Sequence, residues 1–545
     1  MANGVMSPAL PSFYEEKTKF TGVLGWIFST DHKRIGLLYL MTMMAFFSVA
    51  VLLGVLMRLE LLLPGQTIMP PEMYNAVFTL HGVIMIFLFV LPGLPAVFGN
   101  FMLPIMIGAK DVAFPRLNLL SWWLFIAGAL IVVVSLFTGG GPPDTGWTFY
   151  VPYSVNTTTN VTLAVFGAFV LGFSNVLTGM NFITTMHRLR CPGMGWLQMP
   201  LFPWSLYATA WIQVLATPII SITLLMIIVD RTFHIGLFDP TRGGDPVLYQ
   251  HLFWIYSHPA VYIMVLPAMG AISEIISTFS QRPVFGYKSM ILALMGIAFV
   301  GYLVWAHHMF TSGMAYWSVV LFSFLTYLVA IPTGVKVFNW LGTMYKGSIS
   351  LGPPMLFALG FLALFTIGGL GGMILASLAT DVHVHDTYFV VGHFHYTMFG
   401  GAGFGFFAAL HYWWPKMTGR MYSIRRAVAA FILMFIGFNM LYFTMQVLGV
   451  MGMPRRYYDY PPDAGFGPLH VLATVGSWVL VAGLATMFAN FLLSLRSGRP
   501  APANPWHGST LEWKVPSPPP LENFENIPQI TYKEGPYDYT EVTAP

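Results

Sequence analysis

The chain has 545 residues, of which 56% are hydrophobic and only 8% charged, and its formal net charge is +4; an ordinary soluble protein carries about 25% charged residues. That composition excludes a soluble enzyme, and the lack of a clustered basic face excludes a nucleic-acid partner. The single cysteine, Cys191, excludes an internal disulfide, a thiolate copper pair and a Cys-x-x-Cys-His haem attachment site.

The chain opens on a polar arm, residues 1–34, that ends in Asp31-His32-Lys33-Arg34 and has neither the short apolar core nor the small-residue cleavage site of a removable signal peptide. From Ile35 to Leu495, apolar runs of about twenty residues alternate with short polar breaks, the length of a membrane-spanning helix. The runs centre near residues 47, 87, 128, 172, 217, 265, 298, 325, 364, 400, 437 and 481, so residues 35–496 are expected to form one all-α, twelve-transmembrane-helix bundle with both termini on one side. With the amino terminus placed inside, Lys110, Arg116, Arg188, Arg190, Arg282, Lys288, Lys346, Lys416, Arg420, Arg425, Arg426, Arg496 and Arg499 all fall inside. Only Arg58, Arg231, Arg242, Arg455 and Arg456 fall outside, as the positive-inside rule requires. Residues 497–545 turn to Pro, Asn, Glu and Trp and read as an inside tail lying on the bundle or on partners. No internal repeat is visible.

Six histidines stand where lipid should be. His81, His258 and the adjacent His307 and His308 fall in apolar spans, and His393 and His395 flank Phe394 in another. Ionisable side chains at membrane depth are costly, so they face the interior and have a function. Successive helical residues rotate by about 100°, which points His393 and His395 to nearly opposite faces and lets one helix ligate two centres. His307 and His308 can converge on one ion if a third ligand arrives from a neighbouring helix, and His258 is the natural third. Tyr262 lies four residues after His258 on the same helical face, beside the same metal. Imidazole suits both copper and haem iron, and three imidazoles without a thiolate suit a copper that binds oxygen. The competing reading is a non-redox polytopic transporter whose core histidines only bond neighbouring helices; it predicts a protein without haem absorption.

These residues carry a resemblance to a known family: the sequence resembles subunit I of cytochrome c oxidase, a haem–copper oxygen reductase. The likeness runs from Asp31-His32-Lys33 to Asn504-Pro505-Trp506 and Ser517-Pro518-Pro519-Pro520. It includes Gly108 to Arg116, Asn181 to Thr185, Gly244 to Tyr262, Trp305 to Gly313, Ile331 to Phe338 and His385-Asp386-Thr387-Tyr388. The resemblance implies a twelve-helix bundle enclosing two haems and a copper. A low-spin haem would be held by His81 and His395, a high-spin haem by His393, and the copper by His258, His307 and His308. In the family the tyrosine at Tyr262 is bonded to the histidine at His258 and supplies an electron and a proton when the O–O bond breaks. Arg58 is assigned to the formyl group of the low-spin haem, which favours haem a, and Trp147, Arg455 and Arg456 to the propionates. His385 and Asp386 match a magnesium position shared with subunit II.

The family also has proton channels. Lys336, with Thr333 one turn before it and Ser273 at the mouth, matches the first, and Asp111 with Asn100 and Asn118 matches the start of the second. The glutamate that usually ends the second channel is absent, since Ala260 stands two residues after His258. Tyr256 and Ser257 are expected to stand in for it, as in the branch that carries a tyrosine–serine pair. The apolar segment 315–319 replaces a charged loop and is expected to be covered by a partner.

The implied activity is reduction of O2 to water with electrons from cytochrome c or a c-type cytochrome domain, passed through a copper site in subunit II and coupled to proton pumping. The nearest alternative is a quinol oxidase of the same superfamily. Expected partners are subunits II and III, the lipid bilayer and a larger respiratory supercomplex. The missing glutamate points to a bacterial inner membrane, with both termini cytoplasmic.

Overall fold

In lipid every backbone polar group must be satisfied within the chain, which leaves helices or closed barrels as spanning structures. The computed structural model describes residues 11–15, 19–530 and 535–539, and it takes the helical solution: no β-strand forms among the described residues, only three isolated bridges. The rest of the amino-terminal arm and of the tail lies outside the described residues.

Ten helices among the described residues are long and apolar enough to cross a membrane. In chain order these and two further spans are α1 His32–Glu60, α2 Pro71–Met106, α3 Pro115–Val134, α4 Val161–Arg188, α5 Leu201–Phe233, α6 Pro246–Ser280, α7 Tyr287–Gly301, α8 Tyr316–Met344, α9 Pro353–Ala376, α10 spanning 388–418, α11 Ile424–Val450 and α12 Gly467–Ser497. The two spans outside the ten are α7, which is short, and α10, which like α2 contains a π segment, here at Met398–Gly403. Each midpoint falls close to an expected centre.

Local chemistry sets the ends. Asp31 caps α1, its carboxylate accepting the Lys33 and Arg34 amides at 3.0 Å each, so the first span begins at His32, three residues before the apolar run. Asp245 accepts the Val247 amide at 2.8 Å and Pro246 takes the first helical position of α6, where a missing N–H costs nothing. Segment 315–319 is not a loop: Ala315 precedes the first residue of α8, and the Tyr316 and Trp317 rings project from its opening turn.

Close helix approach depends on small residues, as is usual between membrane helices. A Cβ on Gly128 of α3 would lie 2.9 Å from the Gly167 carbonyl oxygen of α4. One on Gly449 of α11 would lie 1.8 Å from the Phe389 nitrogen of α10. Two helices carry π segments, at Ile84–Val90 and Gly93–Gly99 in α2 and at Met398–Gly403 in α10. Each helix enters its π segment three residues after a histidine, His81 or His395, and such wide turns concentrate at functional sites.

The tail after α12 packs back on one end of the bundle. Trp513 donates to the Tyr412 hydroxyl at 2.7 Å, and Asn523 donates to the carbonyls of Ala109 and Lys110 at 2.9 and 3.0 Å. Lys33, fully buried, pairs with Asp31 at 2.8 Å and donates to Asn523 at 2.9 Å, tying the start of α1 to the tail.

Candidate metal centre

Three imidazoles converge between α6, the turn after α7 and α8. His258 Nδ1 lies 3.2 Å from His308 Nε2, which lies 3.1 Å from His307 Nε2. All three ligand atoms fall within 4.8 Å of one another, the one group of three metal-ligating side chains found among the described residues. Nitrogens bound at about 2.0 Å to one ion in trigonal or tetrahedral geometry stand about 3.3–3.5 Å apart, so this cluster fits a single metal after minor relaxation. Three neutral nitrogen atoms so close repel unless a cation or shared protons lie between them, and with no thiolate the donor set suits copper.

The helix expected through His307 and His308 is absent there. The α7 helix stops at Gly301, and Trp305–Met309 forms a 3-10 turn. That tighter winding sets successive side chains about 120° apart, and both still reach His258. Thr326 of α8 sits 3.0 Å from His307 Nδ1, leaving Nε2 as the ligand atom. The Trp254 ring stacks on His308 at 3.7 Å and 13°. Tyr262 packs edge-on to His258 with ring centroids 4.8 Å apart, and its other side lies against Gly301.

The other three histidines share one device. His81 Nδ1 pairs with the Ala50 carbonyl at 2.8 Å, His393 Nδ1 with the Gly368 carbonyl at 2.9 Å, and His395 Nδ1 with the Val391 carbonyl at 2.8 Å. A carbonyl fixes Nδ1 as the protonated atom and leaves Nε2 free to ligate, the usual orientation of metal-bound imidazole. His393 and His395 do diverge: one turns towards Gly371 and Gly372 of α9, the other stacks on Tyr442 of α11 at 4.2 Å. Glycines let the neighbouring helices approach these rings, since a Cβ at Gly54 would meet His81 at 3.2 Å and one at Gly372 would meet His393 at 3.1 Å.

Arg58 is buried, donates from Nη2 to the His470 carbonyl at 3.1 Å, and keeps Nε and Nη1 without partners. Buried donors without partners are costly, and an acceptor on a bound haem would satisfy them. In the connection after α11, Arg455 pairs with Asp386, and Arg456 lies over Phe78, beside Gly146 and Thr148, one residue either side of Trp147. Burial and the neighbouring Arg455 pull the Arg456 guanidinium down to about 10. His385 is held by Asp381 at 2.9 Å; burial works against its charge, yet that carboxylate raises its pKa above the usual histidine value. His385 and Asp386 thus each face another partner and are not bonded to each other.

The residues expected to carry protons fall into two groups. Lys336 is fully buried with Nζ unpartnered over the Trp340 ring, and Trp340 donates to Ser273 at 2.9 Å. Thr333 returns its hydroxyl to the Val329 carbonyl. Of the other group, Asp111 accepts the Val112 amide at 2.6 Å, Asn118 and Asn100 are buried, and Tyr256 and Ser257 are buried on α6 immediately before His258. Two supports escaped the sequence reading. Trp254 stands one turn before His258 and was legible from helical spacing, whereas Thr326 lies on another helix and left no local signal.

The fold is that of a haem–copper oxidase: a heme-copper terminal oxidase dimer solved by cryo-EM aligns with a TM-score of 0.73 at 22% identity, over 86% of this chain and 85% of that one. The family model for cytochrome c and quinol oxidase polypeptide I matches residues 34–479. Cytochrome c oxidase subunit 1 of Synechocystis is 46% identical over 94% of this chain and 92% of its own length. The subunit 1 of Cereibacter sphaeroides is 41% identical over 92% and 95%. The chain therefore belongs to the cytochrome c and quinol oxidase polypeptide I family, an integral membrane family whose cofactors are haem and copper.

Proposed function

We propose that this chain is the catalytic subunit of a terminal cytochrome c oxidase that reduces O2 to water in a bacterial membrane. The observation that carries the reading is the three-imidazole cluster with Tyr262 against it. His258, His307 and His308 would hold the copper, His393 a high-spin haem, and His81 with His395 a low-spin haem, both of a type. Bound there, iron and copper supply the oxygen-binding site and the electron path.

The protein's part is orientation and proton delivery. Backbone carbonyls hold His81, His393 and His395, and Thr326 holds His307, by the nitrogen that does not ligate, so those metal-facing atoms need little reorganisation. Tyr262 holds a proton at its phenol oxygen beside the copper ligands and releases it as oxygen is reduced. Lys336 carries a proton at Nζ towards that phenol from the Ser273 end. Tyr256 and Ser257 pass protons from the Asp111 side by hydroxyl exchange, the role that a glutamate at position 260 would otherwise have. Arg58, Arg455 and Arg456 present cationic donors to haem formyl and propionate oxygens. His385 and Asp386 contribute to a magnesium site at the boundary with subunit II, which also brings electrons from cytochrome c. Subunit III and a respiratory supercomplex complete the assembly, and both termini face the cytoplasm because the basic loop residues collect at that end.

Pyridine haemochrome and metal analysis of the purified complex, with oxygen uptake driven separately by reduced cytochrome c and by quinol, test the reading. Two haems of a type and one copper held by this chain are expected, with uptake on cytochrome c. Absence of iron and copper overturns the proposal, and uptake on quinol alone reassigns the donor.

A further inference from the structure

Ala50, Gly54 and Arg58 follow one another at one-turn intervals along α1, and this face of the helix meets His81. The Ala50 carbonyl holds His81 Nδ1 at 2.8 Å, and a Cβ on Gly54 would stand 3.2 Å from His81 Cε1. Arg58, one turn farther on, is 4% exposed and has no ion-pair partner among the described residues. A guanidinium keeps its proton even when buried, so this charge is not neutralised where it stands.

The Nη2 end of Arg58 is held entirely by α12. It donates to His470 Nδ1 at 3.0 Å and to the His470 carbonyl at 3.1 Å, and lies 3.3 Å from Thr474 Oγ1. A guanidinium can only donate, so Nδ1 is the acceptor and the ring proton of His470 sits on Nε2. The ring is itself fixed: it is fully buried, Tyr460 stacks on it at 4.3 Å and 19°, and Tyr388 meets it edge-on at 5.9 Å. Thr474, one turn after His470, turns its hydroxyl to the carbonyl of His470 at 2.8 Å or of Arg58 at 3.0 Å, which ties the two helices together. Clamped at Nη2, the guanidinium is left with Nε and Nη1 buried and without partners.

The chemistry of the acceptor matters as much as its place. A carboxylate at position 470 would hold Nη2 and also cancel its charge, whereas a neutral imidazole orients the cation and leaves the charge in force. Hydrogen bonds and burial around a haem set its reduction potential, and a fixed cation favours the reduced form, which carries one positive charge fewer.

We propose that His470 and Thr474 are positioning residues that clamp Arg58 by Nη2, aim Nε and Nη1 at the low-spin haem, and so strengthen that haem's hold on its electron. The proposal rests on the reading of His81, His395 and Arg58 as the low-spin haem site.

The test uses the purified intact oxidase, reading the visible absorption band of the reduced low-spin haem and its midpoint potential in a redox titration, with haem content as the check on assembly. His470→Leu removes the acceptor and is expected to move the band to shorter wavelength and to shift the reduction equilibrium at least tenfold towards the oxidised haem, about 59 mV for one electron. Thr474→Val is expected to act in the same direction by less. His470→Asn, which offers an amide oxygen near the place of Nδ1 and nothing at Nε2, is expected to restore both readings. His470→Asp, of nearly the same shape, is expected to lower the potential relative to His470→Asn because it adds a countercharge. Unchanged band and potential in His470→Leu, while Arg58→Leu shifts both, overturns the clamp and spares the haem contact of Arg58. If Arg58→Leu also shifts neither, that contact falls as well. Should His470→Leu fail to assemble with haem, the Asn and Asp variants decide, and equal potentials in those two overturn the proposal.

Discussion

Gly301 ends α7 directly behind Tyr262, and replacing it with alanine perturbs the phenol without touching a metal ligand. A Cβ there would stand 2.7 Å from Tyr262 Cδ2 and 2.9 Å from Cε2, whereas ordinary contact begins at 3.4 Å. The ring must therefore retreat by about 0.7 Å, and overpacking of this kind costs roughly 1–3 kcal/mol. Little of that cost is recovered, because a tolerated Gly→Ala change stabilises by only about 0.4–1 kcal/mol through the unfolded chain. Since a misplacement near 1 Å can cost on the order of 100-fold in rate, Gly301→Ala is expected to lower oxygen-uptake turnover by about 10- to 100-fold. Iron and copper content should stay near that of the unmodified complex. Gly369→Ala, where a Cβ meets nothing within 4 Å, serves as the control and should keep full turnover. Full turnover in Gly301→Ala with Tyr262 unmoved would refute the claim that this phenol's position limits the reaction.

Thr326→Val removes the partner of His307 Nδ1 and is expected to weaken copper retention by about 10- to 100-fold, read as copper per chain after dialysis against a chelator. Burial pushes the Glu512 carboxyl up to about 7 against the opposing pull of Thr510 and Lys416. The folded chain then holds this proton more tightly than the unfolded chain, so stability falls as pH rises from about 4.5 to about 7, by about 3 kcal/mol in all. Glu512→Gln should accordingly raise the thermal midpoint of the complex at pH 8 and leave it nearly unchanged at pH 5; equal gains at both values contradict the assignment. Gly449→Ala forces a Cβ onto the Phe389 backbone and is expected to cost at least about 3 kcal/mol, seen as loss of haem-bearing complex from membranes.

Most of the architecture was legible in the sequence because lipid leaves few choices: apolar length marks a span, and basic residues mark its inner flank. The pairing of His258 with Tyr262 and the divergence of His393 from His395 were likewise legible, since both are angles along one helix. The break after Gly301 was not, because apolar residues continue through Val304 and nothing in their pattern announces a 3-10 turn. Segment 315–319 reads in sequence as an apolar loop for the related reason that apolar residues at a helix start resemble an apolar connection.

By itself, then, the amino-acid order determined the spans, the six imidazoles, the phenol one turn from His258 and the lack of an acid at position 260. Tertiary packing alone decided that Ala50 and Gly368 anchor His81 and His393, that Thr326 holds His307, and that Gln213 and Asn175, from different helices, meet at one cavity. Helical periodicity specifies directions within an element, whereas the rotation and depth of one helix against another arise from close packing of residues tens to hundreds of positions apart.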